Sequence, residues 1–440
     1  MPRLLRDTLI SFRDLLATAG PLLLLTLALL VGAYLVLKPQ PPKHVVLATG
    51  SDQSSYAELG ARYAAELKRN GIRVTLLPTL GSLENLRDLR DPKQRVDFGF
   101  VKGGSSAAAR VADEEHGGVP LVSLGSLFYE PLWIFYRAPE PLADLGALRG
   151  LRVNLGARGS GTPGLMRKLL EANGIDRDSL RATYLDLTPA VVALLGGETD
   201  LVAFTSAPEA AMVQMLLQTP GVRLLEFPQA EAYARRFPFL SAVVLPRGVA
   251  DLAHDVPPHD VPLIATTTSL LARADTHPAL VQLFVQAAAR IHGGAGWIVP
   301  AGRFPSPQST EFPLAPEAER YYRSGPPLLQ RYLPFWLANL IDRMWVALFS
   351  IVAVLIPLSR VVPPVYRFRI RSRIFRWYRQ LRQIEDRLGR AEAPPAQLLG
   401  ELDRLEAKAR GIAVPLSHTD ELYELRSHIA LVRARLQQNS

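Results

Sequence analysis

Residues 15–37 read LLATAGPLLLLTLALLVGAYLVL and contain no charged side chain. At about 1.5 Å of rise per residue, a helix of that length can cross a hydrocarbon layer roughly 30 Å thick. A cleaved signal peptide is the other reading. Its apolar core is usually about 7–15 residues and ends at a small-x-small site, whereas KPQPPK follows here. An uncleaved anchor over 15–37 is therefore expected. A second span is expected over Leu333–Val362, with its uncharged run at Met344–Ser359 and with Asp342 and Arg343 near the interface. Arg360, Arg367, Arg369, Arg371, Arg373, Arg376, Arg379 and Arg382 follow before the first acid, Glu385. Arginines massed beside an apolar span mark its cytoplasmic side. These segments predict a twice-spanning protein of the inner membrane, with both termini cytoplasmic and residues 38–332 outside, in the periplasm where the cell has one.

The net charge of +9 is uneven. Lys38–Ile341 carries 30 basic residues against 29 acids, and Ser359–Ser440 carries 16 against 9. A nucleic-acid-binding domain would hold its excess on the folded middle, so that class is disfavoured. The chain has no cysteine, which removes thiolate nucleophiles, thiolate metal sites and disulfides.

Between the apolar segments, short apolar runs alternate with helical patterns. HVVLATG (44–50), VTLLPT (74–79) and VDFGFV (96–101) read as strands, and a helix over Ser55–Asn70 places Tyr56, Leu59, Tyr63 and Leu67 on one face. LVSLGSLFYEPLWIFYR (121–137) is expected to supply two more strands. The rhythm restarts with LRVNLG (151–156), ATYLDL (182–187), DLVAFTS (200–206) and VRLLEF (222–227). Strands alternating with helices predict parallel, doubly wound sheets, and two series predict two lobes. Ligands on such sheets sit at the carboxyl ends of strands. Polar turns fall there: GSDQSSY (50–56), TLGSLEN (79–85), KGGSS (102–106) and GARGSGT (156–162). Each opens a helix, whose free N–H groups and positive dipole end favour an anion.

The order GSDQSSYAELG, LGSLENLRDL, DFGFV, VNLGARGSGT, DLVAFTSAPEAAM resembles the TAXI family of solute-binding proteins of TRAP transporters. VPLIATTTSLLARADTHPALVQLFVQA (261–287) and APEAERYYRSGPP (315–327) look like that family's returning strand and closing segment. The resemblance covers roughly residues 44–327. It implies a bilobal, periplasmic-binding-protein-like α/β fold, which the two apolar segments would flank with transmembrane helices, the second followed by a helical tail; members of the family are usually secreted free or lipid-anchored, so the double anchor is a departure from it. Its parts would be a cytoplasmic N-terminus 1–14, a span 15–37, lobe I 38–137, lobe II 138–261, a return to lobe I 262–332, a span 333–362 and a basic cytoplasmic tail 363–440. It also implies a small anionic solute, an amino acid or an organic acid, handed to TRAP permease subunits. The residues it nominates for hydrogen bonding are Ser54, Ser55, Gly81, Ser82, Asn85, Gly159, Ser160, Gly161, Thr162, Thr205 and Ser206, with Tyr56 stacking or hydrogen bonding. Ser54 and Ser55 stand where the family usually has paired glycines.

Arg158 is added as a bidentate partner for a ligand carboxylate. Lys102 reads more readily as a solvated lysine. Trp133, Phe135 and Tyr136 read as packing. AHDVPPHD (253–260) lacks the ligand set for a metal, since its prolines break any helix. No catalytic signature and no cofactor motif is present; GARGSGT lacks the lysine of a phosphate-binding loop. The tail predicts helices over Arg367–Ala391, Pro395–Lys408 and Thr419–Gln438, with its arginines favouring anionic membrane lipids. A sensor or assembly subunit that relays lobe closure to these helices is the rival reading.

Overall fold

The computed structural model describes residues 20, 22–37, 40–52, 54–105, 118–176, 179–390, 392–410 and 419–438. The N-terminus expected at 1–14, residues 15–19 and 21 of the first apolar segment, and Ser106 of the KGGSS turn lie outside them. The chain divides into two compact units: Gln40–Asn339, and Met1–Pro39 together with Leu340–Ser440.

The first unit is built on ten strands in the order β2-β1-β3-β10-β4-β7-β5-β6, with β8 on β4 and β9 on β10. Strands β1 (His44–Ala48), β2 (Arg73–Leu77) and β3 (Phe98–Lys102) run parallel, as do β5 (Arg152–Asn154), β6 (Arg181–Thr183) and β7 (Leu201–Thr205). Two long strands join the sets: β4 (Leu121–Tyr136) and β10 (Val261–Arg273), paired antiparallel. The first half of β4 lies in lobe I. Its second half pairs antiparallel with β7 and β8 (Arg223–Leu224) in lobe II. The far half of β10 pairs with β3, and its start pairs with β9 (Leu240–Leu245).

The α/β, two-lobed part of the expectation holds; the all-parallel part does not. The stretch expected to give two strands is one sixteen-residue strand, because both of its faces are covered and even its polar Ser123, Ser126 and Glu130 are buried within it. Gly125 kinks it at φ +112°, and the register with β10 shifts alongside. A Cβ there would lie 2.1 Å from the Tyr322 hydroxyl oxygen, so only glycine fits.

Each lobe has its own apolar core, one around Tyr63, Phe98, Phe100 and Phe284, the other around Trp133, Phe135, Met166 and Leu194. In lobe I, α1 (Ser55–Lys68) buries Tyr56, Leu59, Tyr63 and Leu67 at the expected spacing. The returning α7 (Pro278–His292) packs on it, α8 (Pro316–Ser324) packs on α7, and α2 (Ser82–Arg90) packs on β3. In lobe II, α3 (Thr162–Ala172), α4 (Leu187–Leu195), α5 (Ala211–Gln218) and α6 (Ala230–Arg236) follow in chain order.

In the second unit, residues 22–37 are helical, and α9 (Phe335–Ser359, which begins in the first unit) leads to α10 (Val362–Gly389), α11 (Pro395–Arg410) and α12 (Thr419–Gln438). The last three pack around Leu381, Ile384, Leu402, Leu425, Ile429 and Leu436. Arg387 pairs with Glu401 at 2.7 Å, and Arg433 with Glu406 at 2.6 Å. No helix among the described residues is long and apolar enough to cross a membrane. The two flanking spans are thus not carried by the structure. Asp342 and Arg343 interrupt α9, whose longest uncharged run is the sixteen residues Met344–Ser359.

Candidate ligand-binding cleft

A cavity of about 330 Å³ lies between the lobes. Four helix starts line it: Ser54, Ser55 and Tyr56 for α1; Gly81 and Ser82 for α2; Ser160 and Thr162 for α3; Leu187, Thr188 and Pro189 for α4. The fourth was not foreseen, although Asp186 followed by an apolar, proline-bearing helix is a sequence signal for a start. Each start turns positive partial charge toward the cavity.

The turns are shaped for this approach. Ser54 caps α1, its hydroxyl accepting from the Ala57 N–H at 3.3 Å. Gly81, at φ +123°, precedes α2, and Gly161, at φ +77°, precedes α3. The lips meet. A Cβ on Gly81 would lie 3.2 Å from Ser160 Cα, and one on Gly159 would lie 2.3 Å from Leu80 Cβ. Glycine at both positions is what lets the two loops touch.

Lys102 and Glu130, 4 % and 2 % exposed, face the same cavity. Lys102 Nζ donates to Thr205 Oγ1 in the opposite lobe, and Thr205 lies 3.3 Å from Thr162 Oγ1. The Tyr56 hydroxyl donates to Glu130 Oε2 at 3.1 Å and lies 3.3 Å from Thr268 Oγ1. Burial pushes the Lys102 ammonium below its ordinary range, against the opposing pull of Glu130. Burial likewise lifts the Glu130 carboxyl, opposed by Lys102 and by its hydrogen bonds to Thr268 and Tyr56. The Tyr56 phenol is raised by burial first and by Glu130 next. These are buried polar groups that hold one another in place. Asp52 and Asp186 stand at the exposed rim.

Among the residues nominated from sequence, Ser54, Ser55, Tyr56, Gly81, Ser82, Ser160, Thr162, Thr205 and Ser206 line the cavity. Asn85 does not. Its amide donates to the Thr49 and Phe100 carbonyls at 2.6 and 2.9 Å and ties β1 to β3. Gly159 and Gly161 lie beside the cavity, at the lip and at the α3 start. Arg158 lies over the Tyr184 ring, 4.4 Å from its centroid, and lines a different surface pocket. Tyr56 is occupied by Glu130 and stacks on Phe100 at 5.3 Å, so its ring packs in the lobe I core. His254 pairs with Asp251 and His259 with Glu226, each at 2.7 Å, on the surface.

Residues 47–324 match the model of the NMT1-like family. The chain belongs to the NMT1-like family. Solved structures similar to this NMT1-like protein include the periplasmic aliphatic sulphonate binding protein SsuA from Escherichia coli, at 17% identity and TM-score 0.37, covering 71% of this chain and 83% of that one. An ancestral arginine-binding protein bound to arginine matches at 12% identity and TM-score 0.36, covering 57% and 93%. The substrate binding protein of an amino acid ABC transporter matches at 8% identity and TM-score 0.35, covering 56% and 92%. These neighbours are binding proteins rather than enzymes.

Glu130 escaped the sequence-based set, and Lys102, expected to be solvated, is instead buried at the cavity. Glu130 is a lone acid inside the apolar run SLFYEPLWIFY, and an unpaired acid in a buried strand was the signal available. Lys102 follows VDFGFV at the carboxyl end of β3, where this lobe opens into the cavity.

Proposed function

We propose that the protein captures a small solute with an anionic head, an amino acid or organic acid, between its lobes. The observation that carries this reading is the convergence of Lys102 and four helix starts, drawn from both lobes, on one cavity. Each helix start favours an anion by about 0.3–1 kcal/mol, and Lys102 is the cation among them. Closure follows from differential affinity, because a solute that touches both lobes binds more tightly when they meet. In its finer form the protein is a TAXI-type binding protein serving a TRAP-type permease, stationed outside the cytoplasm and held at the membrane by its apolar flanks. Leu23, Leu24, Val36, Phe349 and Ile356 are all more than half exposed, an apolar surface that calls for lipid or protein cover. Residues 15–37 and Met344–Ser359 are the segments that would enter the bilayer. The separate core of α10–α12 favours a second reading, a sensor or assembly subunit in which these helices receive a partner.

The test is a melting-temperature screen of the full chain in lipid nanodiscs with amino acids, dicarboxylates and alkanesulfonates. A ligand at 100 times its Kd adds about 2.7 kcal/mol of stability. Gly159→Val, which blocks the lip contact, is expected to remove most of that gain. If neutral amides and sugars shift the melt and anions do not, the anionic reading is wrong.

A further inference from the structure

We propose, resting on the cleft reading and narrowing its substrate class, that the solute is a zwitterion: an amino acid whose carboxylate lies on Lys102 and the helix starts and whose ammonium lies on Glu130. The sheet register puts the two ionisable groups on one face. Lys102 on β3 lies opposite Thr268 of β10, and Glu130 on β4 lies opposite Thr266. Opposed residues of an antiparallel pair project to the same side, and so do residues two apart on one strand. Lys102, Thr268, Thr266 and Glu130 therefore share a face, and its two ionisable members line the cavity.

Neither of them is held by the other. Lys102 Nζ reaches across to Thr205 Oγ1, while the Glu130 carboxyl accepts from the Tyr56 hydroxyl at 3.1 Å and hydrogen-bonds with Thr268. All of these partners are neutral. Burial works against charge on both groups, and each one's charge favours the other's. A buried charge is costly until it is paired. Tyr56 and Thr268 do not exhaust the roughly four lone-pair sites of a carboxylate, so Glu130 can still accept from an ammonium. The exposed rim has the same sign as Glu130. The charged residues lining the cavity are Asp52, Glu130 and Asp186 against Lys102. A second carboxylate on the solute would be set against these acids. A zwitterion pairs both buried ends and brings no net charge with it.

The experiment is titration calorimetry on the full chain in lipid nanodiscs, with three matched pairs that differ only in the ammonium: L-alanine and propionate, L-leucine and 4-methylpentanoate, L-glutamate and glutarate. 3-Methylbutylamine, which is leucine without its carboxylate, completes the set and should bind more weakly than leucine. The tightest amino acid should exceed its matched acid at least about tenfold, or about 1.4 kcal/mol. Glu130→Gln, which keeps the shape and removes the charge, should cut that advantage below about threefold and leave the affinity of the matched acid equal or higher. The pairs measured on the parent decide even where the variant does not fold. Equal affinity within every pair, or acids tighter than their amino acids, overturns the zwitterion and leaves the anionic cleft standing. An advantage that survives in folded Glu130→Gln overturns the assignment of the ammonium to Glu130. Binding of the amine as tight as that of leucine overturns the anionic head as well, and so does silence from every probe.

Discussion

The two lobes contribute unlike chemistry to one cavity. Lobe I, with the strand that leaves it, brings the ionisable groups: Lys102 on β3, Glu130 on β4, and Tyr56 to hold the carboxyl. Inside the rim, where its Asp186 stands exposed, lobe II brings neutral hydroxyls and backbone, through Ser160, Thr162, Thr205 and Ser206. A buried charge is costly unless its partners stay fixed. Tyr56, Thr268 and Glu130 belong to one lobe and its two crossing strands, so they keep one another company whether the cleft is shut or open. The neutral half can swing away and strand only the link from Lys102 to Thr205. The difference teaches a division of labour in which lobe I provides the charge that selects the solute and lobe II provides the closure.

The comparison is broken most directly at Lys102. Lys102→Met keeps the stem and removes the ammonium, and it should weaken binding of a carboxylate or sulfonate about 100-fold, near 2.7 kcal/mol. Titration calorimetry on the folded variant reads this. A loss below about threefold would mean that the helix starts alone hold the anion and that charge is not what sets lobe I apart.

A smaller effect sharpens the contrast within lobe I. His292 is held at a pKa of about 3, chiefly by burial and secondarily by the nearby Arg62. Its unfolded value is near 6.5, so the unfolded chain takes up a proton that the folded chain refuses. Stability is full above pH 6.5 and falls as the pH drops through that value toward 3. By linkage the cost reaches about 2 kcal/mol at pH 5. His292→Phe should flatten this limb in a denaturant series between pH 7 and 5, so the gap between variant and parent should widen on acidification. Parallel curves would remove His292 as the cause.

How far the sequence reaches is best judged on particular residues. Tyr56, Leu59, Tyr63 and Leu67 announce α1 because apolar spacing of three and four has one helical solution. The turns at 54–56, 81–82 and 160–162 are legible for a similar reason: a helix that starts at a strand's carboxyl end must face the cleft. What pattern does not encode is where a long side chain points. Arg158 could equally have turned inward; it lies on Tyr184, because an exposed ring face a few ångströms away offers a guanidinium a partner at little desolvation cost. Asn85 looked like a donor for the solute and instead bridges two strands that are adjacent only after folding. The run Leu121–Tyr136 is long enough for the two strands expected, yet neither Gly125 nor Glu130 parts it. In three dimensions the first is a kink and the second part of the cleft.

The smallest expected effect decides whether lobe II contributes closure or selection. Thr205→Val keeps shape and removes the oxygen that accepts from Lys102 and neighbours Thr162. Loss of one such hydrogen bond costs about 1 kcal/mol. An arriving anion can replace Thr205 as the partner of Lys102, so the cost falls mainly on the closed state without solute. Affinity should drop about fivefold or less, and the unliganded protein should open further, read as a longer distance between spin labels on the two lips. A drop as large as that of Lys102→Met, with the lip distance unchanged, would place Thr205 among the groups that select the solute and erase the distinction between the lobes.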